Sequence, residues 1–373
     1  MVTLLPDEQG RLPLPWLEAP LAETLATHRG HALLVHASPG LGALPYALSL
    51  AQAWLCEQPV AAVGIHAKAC GHCGSCKLIR NHLHPDLFLL MPEVLRRQHE
   101  WPLMDDKIEG EDSKRKPSRQ IRIDEIRSLI DRTQKTTARG RGKVAVVHPA
   151  DALNLQSANS LLKTLEEPPL GTRLILTTSD PAALLPTLRS RCQKQVLLPP
   201  ERAAAIEWLK GQGLPQPQVL LAACSGRPLD ALQLAQDGVS AEAWAALPAA
   251  VAGGRAAALS GWPVPRALDA LHKLCHDAMA MAAGASPRFF PTSGFADRPA
   301  DGGAIFRLSI WLKALDRVAR HDDHPWSEAL LMESLVQQGA AALRAPQPTP
   351  VPVPVPVPGS ARSDPRRFDT LKP

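Results

Sequence analysis

A parallel α/β sheet domain followed by an all-helical half is the fold class this sequence predicts, from two observations. Short apolar runs alternate with helical patterns up to about residue 198, and after Pro200 only helical patterns remain. Composition agrees. Aromatic residues are only 4% of the 373, so the interior must be built from Leu, Ala and Val, which favours helix.

The elements follow in order. His31–Val35 is the first strand, Ala37–Gly42 a glycine-containing turn, and Tyr46–Cys56 an Ala/Leu-rich helix. Asp86–Leu90, Lys143–Val147 and Arg173–Thr178 are further buried strands, with Gln195–Leu198 a candidate fifth. Runs apolar at every position, rather than alternating, predict a sheet covered on both faces. Ile121–Thr133 suggests a strand leading into a helix, and Ala152–Glu167 a helix stopped by Pro168-Pro169. Pro92–Gln120 is charged and apolar-poor, with Lys114-Arg115-Lys116, and is expected to be a solvated loop. Ala203–Gln212 and Gln218–Gln236 are expected to be a small helical unit. The helical patterns from Ala241 onward form another, interrupted by a loop at Pro287–Gly303. The domain boundaries predicted are therefore 1–198, 199–240 and 241–344, with a tail at 345–373. That tail alternates Pro and Val; lacking amide donors, it is expected to be an extended semi-rigid segment, with a docking motif as the alternative.

The net charge of +5 is compatible with an anionic partner without requiring one. No run of about 18 apolar residues and no basic-plus-apolar leader is present, so a cytoplasmic protein is expected. Its seven cysteines are then thiols or metal ligands rather than disulfides. Cys70, Cys73 and Cys76 stand at x2 spacing, with Cys56 on the preceding helix: a complete set for structural zinc. His72 in place of Cys56 is the alternative ligand, and a redox Cys-x-x-Cys the alternative chemistry. Cys192, Cys224 and Cys275 are scattered and expected to be buried thiols. His66, His82 and His84 are expected in packing or capping roles.

A phosphate loop needs glycines, a Lys for the terminal phosphates and a Ser/Thr for magnesium. In His36–Leu44 the position after a strand is right and Gly40-x-Gly42 is present. Ala37, however, stands where the first glycine belongs, Ala43 where the Lys belongs and Leu44 where the Ser/Thr belongs. The strand at Lys143–Val147 should end in Asp-Glu to serve magnesium, and ends in His148-Pro149. The scaffold of a nucleotide site is kept and both halves of its chemistry are missing.

Val144–Pro169, with its Asn-Ser-Leu-Leu-Lys-Thr-Leu-Glu-Glu-Pro-Pro end, resembles the second nucleotide motif of the clamp-loader ATPases of bacterial DNA polymerase III. Leu184–Gln193 resembles that family's Ser-Arg-Cys motif, and the cysteine cluster before His84-Pro85-Asp86 is also similar. Gly226 is followed three residues later by Leu229, where the family's second sensor has Arg, and Arg227 is out of register. The resemblance implies an AAA+ (RecA-like) domain with a zinc module at 56–76, a helical lid and a helical collar. Its departures point to a subunit without its own nucleotide chemistry. Implied partners are gamma/tau and delta subunits and, through them, the sliding clamp and primer-template DNA. Arg191 is implied to be an arginine finger acting on a neighbour's ATP; a pair with an acidic residue on its own surface is the alternative. Two other functions compete: an active ATPase of the same fold, and a zinc-containing DNA-binding module using Lys114–Arg122.

Overall fold

The computed structural model describes residues 4–62, 65–102, 116–295, 302–320 and 327–344. The Pro/Val tail and residues 103–115 of the charged segment, with Lys114 and Arg115, lie outside the described residues.

Among the described residues, the strands β1 (Ala32–Ala37), β4 (Leu87–Leu90), β5 (Lys143–Val147), β6 (Thr172–Thr178) and β7 (Gln193–Leu197) form one parallel sheet in the order β4-β5-β6-β1-β7. The candidate fifth strand is thus an edge strand, paired with β1 from Leu33↔Gln193 to Ala37↔Leu197. β2 (Val60–Ala62) and β3 (Ile65–Lys68) form a separate antiparallel pair between Cys56 and Cys70. The sequence reading did not anticipate it, because strands this short carry no period.

The apolar runs divide their side chains between two interiors. Leu33, Val35, Val144, Val146 and Ile175 pack on one face with α2 (Ala43–Leu55) and with Leu17 and Leu21 at α1 (Glu18–Thr27). Leu34, Ala145, Val147, Leu174 and Leu176 pack on the other with α5 (Ile123–Gln134) and α6 (Leu155–Glu166). This is why β1, β4, β5 and β6 carry continuous rather than alternating apolar runs, while the edge strand β7 does not. Ile121 does not start a strand; it makes an isolated bridge to Leu153 just before α5. Asn154 caps α6, accepting from the Ser157 amide at 2.9 Å. A short helix, α4 (Glu93–Gln98), lies where the charged loop was expected, held by Arg97–Glu93 and Arg122–Glu93 pairs and by Leu95 packed against the core.

The second half is helical: α8 (Arg202–Gly211), α9 (Pro217–Ala223), α10 (Pro228–Gln236), α11 (Ala241–Ala252), α12 (Val264–Ala282), α13 (Ala304–Ala319) and α14 (Glu328–Leu343). The pattern at 218–236 is two helices, broken where Ser225 and Gly226 adopt positive φ (57° and 81°) before Pro228. One apolar cluster runs from Ala205 to Leu343, so the helices expected as lid and as collar share an interior. Trp244 and Trp311 anchor it, with indole N–H groups donating to the carbonyls of Phe289 and Leu335, both at 3.0 Å. Fully buried Asp277 on α12 accepts from the amides of Arg288, Phe289 and Phe290 at 2.7–2.9 Å, fixing the loop after α12. No helix among the described residues is long and apolar enough to cross a membrane.

Candidate functional site

The loop between β1 and α2 keeps a phosphate-loop backbone. Gly40 and Gly42 have φ of 74° and 96°, a region that favours glycine, and Gly42 caps α2. The space around them is filled from within the chain. A Cβ at Gly40 would lie 2.4 Å from an Asp230 carboxylate oxygen, and one at Gly42 would lie 2.3 Å from Leu14. The Leu229 amide donates to the Gly40 carbonyl at 3.2 Å, which docks the start of α10 onto the loop. Arg227 does not reach over the loop. Its Nε stands 2.7 Å from Asp230, a close ion pair rather than an aligned hydrogen bond.

Between this loop, the ends of β5 and β6, and α10 lies a cavity of about 360 Å³. Ala37, Gly40, Gly42, Ala43, Leu44, His148, Pro149 and Leu229 are among its lining, and among the described residues no Lys, Arg, Asp or Glu lines it. His148 Nδ1 is 2.7 Å from Thr177 Oγ1. Burial, and then the nearby His99, hold its pKa down at about 4 against the opposing pull of Asp151, so the ring is neutral at pH 7. Asp151, the acid closest to this strand end in sequence, accepts from Thr178 Oγ1 and from the Ser179 amide (2.9 Å) and hydroxyl (2.8 Å). It is committed to β6 and does not line the cavity. The walls offer no cation to a polyphosphate and no carboxylate to magnesium.

Arg191 lies between the short helix α7 (Pro186–Arg189) and β7, at the opposite end of the sheet from the cavity. It is partly exposed. Its guanidinium donates to the Thr187 carbonyl at 2.7 Å and pairs with Glu166 at the end of α6. The own-surface partner weighed from sequence is therefore present in the lone chain. Glu166 was not singled out, because a carboxylate 25 residues away in sequence gives no signal.

Cys56, at the C-terminal end of α2, meets Cys70, Cys73 and Cys76 in a buried cluster whose sulfurs lie within 4.8 Å of one another. The Cys56–Cys73, Cys56–Cys76 and Cys70–Cys76 sulfurs are 3.8, 3.7 and 4.0 Å apart. A tetrahedron of sulfurs about 2.3 Å from a zinc ion has edges of about 3.8 Å, so the donor set fits that ion. The amides of Cys70, Cys73 and Cys76 point at the sulfurs of Cys56, Cys70 and Cys73 at 3.3, 3.3 and 3.5 Å, favouring thiolates. Burial opposes ionisation of Cys73, but the amides of Cys76 and Glu57 and the neighbouring thiols outweigh it and hold its pKa at about 6. Burial pushes Cys56 and Cys76 up. His72 is exposed and turned to the Cys70 carbonyl at 2.9 Å, away from the cluster.

Glu57, Ser75, His84 and Arg139 tie the cluster to the sheet domain. Ser75 donates to Glu57 at 2.9 Å and lies 3.1 Å from His84 Nε2, and Arg139 Nε donates to Glu57 at 2.7 Å. Asp86, just ahead of β4, accepts from the amides of Ala138 and Arg139. Cys192, Cys224 and Cys275 are buried apart from the cluster, and burial raises each to about 12.

Residues 19–201 match the family described as DNA polymerase III, delta subunit. Over 232 residues the chain is 35% identical to the DNA polymerase III subunit delta′ of Pseudomonas aeruginosa, covering 60% of this chain and 62% of that protein. Over this stretch the chain is similar to delta-prime proteins of DNA polymerase III. The delta-prime protein of Escherichia coli K12 is 36% identical over 231 residues, 60% of each chain. The DNA polymerase III subunit tau of Escherichia coli is 33% identical over 162 residues, 43% of this chain and 20% of that protein. The matches to these delta-prime relatives span about three fifths of their length. The family match at 19–201 takes in the degenerate loop, the four cysteines and Arg191.

Proposed function

We propose that this chain is the delta-prime subunit of a clamp loader, hydrolyses no ATP itself, and supplies Arg191 to the ATP site of an adjacent gamma/tau-type subunit. The observation that carries the first part is the cavity at the loop after β1, whose lining among the described residues holds no charged side chain. Phosphoryl transfer needs charge at the phosphates and ligands for magnesium, and this site offers neither.

Arg191 supports the second part. It is partly exposed, remote from the chain's own loop, and held only by a carbonyl and one surface carboxylate. A surface pair of this kind is worth about 0–1 kcal/mol, so exchanging Glu166 for the phosphates of a neighbour is inexpensive. In such a ring the planar guanidinium would stabilise charge on the transferring phosphoryl group. Cys56, Cys70, Cys73 and Cys76 would hold one zinc ion, whose four thiolate ligands leave no position for substrate, so its role is structural. The helices expected as lid and collar would carry subunit contacts with gamma/tau and delta, and through the ring the subunit would serve the sliding clamp and primed DNA.

The test is coexpression with the partner subunits of the same organism. The wild-type chain is expected to enter a ring-shaped complex. Arg191→Ala is expected to enter it equally well but to lower its DNA-stimulated ATP hydrolysis. Loss of a trans arginine can cost on the order of 10³-fold at one site, and the whole complex would lose less. Wild-type hydrolysis and clamp loading by the Arg191→Ala complex would overturn the trans role.

A further inference from the structure

At the end of the sheet where the strands begin, away from the degenerate loop, lies a second cavity of about 500 Å³. Arg29 follows α1, Arg141 precedes β5, and Arg173 is near the start of β6; all three line it, with His28 and Trp54. Among the described residues no carboxylate lines it. None of the three arginines forms an ion pair with a carboxylate among the described residues, whereas Arg97, Arg122, Arg139, Arg191, Arg227 and Arg266 each do.

Two further features show that this is a formed pocket rather than scattered surface charge. Arg173 is stacked over Trp54, its guanidinium carbon 4.6 Å from the ring centroid, and the His28 ring stacks on Trp54 at 5.6 Å. His28 is only 8% exposed, and its Nδ1 is 2.9 Å from Gln193 Oε1. The Gln193 contact and the stack on Trp54 hold the His28 ring in place as part of the cavity wall. Burial keeps His28 below its usual pKa despite the Gln193 bond, and the Arg173 charge adds to this. Arg173 is in turn lowered by burial and by Arg141. The cationic groups repel one another across a space that contains no compensating charge.

We propose that this cavity binds a phosphate group, held by Arg29, Arg141 and Arg173, with His28 and Trp54 forming part of its wall. Guanidinium forks match phosphate oxygens, and a phosphate group offers three arginines more acceptor oxygens than a carboxylate does. Trp54 is already engaged by Arg173 and His28, so the ring is not a free platform for a base. The volume exceeds that of inorganic phosphate alone, so the group would arrive attached to a nucleotide or as part of a nucleic-acid strand. This proposal does not rest on the clamp-loader reading.

The experiment uses the purified full chain at low salt and titrates it by calorimetry with inorganic phosphate, with ADP and with a short single-stranded oligothymidylate. The same titrations are run on Arg29→Ala/Arg141→Ala, whose changed side chains are exposed and whose folding is checked by circular dichroism. At least one probe is expected to bind the wild type, and the double variant to bind it at least about tenfold more weakly, the loss of about 1.4 kcal/mol. The tightest arm identifies the source, and a steep loss of affinity with salt is expected if that is the oligonucleotide. Binding of none of the three probes, or binding unchanged by the double variant, would overturn the proposal; the latter would place the ligand elsewhere, such as at the degenerate loop.

Discussion

Arg191 and Glu166 can be separated by substitution. If the pair were only surface decoration, removing either partner would have the same effect. If Arg191 serves a neighbour, the two variants diverge in the assembled ring. Arg191→Ala is expected to lower ATP hydrolysis, while Glu166→Ala, which frees the guanidinium, is expected to keep it at or above the wild-type rate. Neither should change the stability of the isolated chain by more than about 1 kcal/mol. Equal losses of hydrolysis from both variants would show that the pair itself matters. His148 makes a different prediction. Its folded pKa of about 4 lies below its usual 6.5, because burial disfavours the imidazolium. Between those values the unfolded chain binds more protons than the folded one, so stability falls as pH drops from about 6.5 through 4. His148→Asn, which cannot titrate, should flatten that part of the profile. Urea midpoints at pH 7 and pH 5 for both proteins check it; the cysteine ligands also take up protons, so the difference between the proteins is the measurement.

The cysteine module is an element whose fold and donor set are one device. Cys56 ends α2, Cys73 caps α3 (Gly74–Arg80), and Ser75 and Glu57 link the module to Arg139. An ion binding there would stabilise all of these together, since metal affinity at such a site is also folding free energy. Elemental analysis is expected to give one zinc per chain for the wild type and less for Cys73→Ala, with Tm lower by about 5 °C or more, the shift that roughly 2 kcal/mol produces in a domain of this size. Metal-free wild-type protein purified without chelator would reject the zinc assignment. At the same scale, the start of α10 shows where Arg227 is held. Its partner is Asp230 on its own helix, and Leu229 is the side chain that lines the cavity.

For the whole molecule, the proposed reading rests on two separate places, Ala43 after β1 and His148-Pro149 after β5, which supply neither an ammonium nor a carboxylate. The isolated chain is therefore expected to show no ATP turnover above background, and Ala43→Lys alone to restore none, because the carboxylates for magnesium remain absent. Turnover that persists through successive purification steps would instead support the active-ATPase reading. The parallel sheet and the helical half were legible in the sequence because unbroken apolar runs mark strands buried on both faces. So were the degenerate loop and the cysteine set, since local spacing determines which groups a short segment brings together. Three things were not legible. The β2–β3 pair is too short to show a period. The break between α9 and α10 depends on two residues of positive φ, only one of them a glycine. The gathering of Arg29, Arg141 and Arg173, and the Arg191–Glu166 pair, join residues distant in the chain. The sequence by itself determined which groups the loop after β1 and the end of β5 lack, because a residue type cannot supply a group it does not carry. Only the tertiary structure decided which charges meet and which are left without a partner, because that follows from the order of strands in the sheet and not from spacing along the chain.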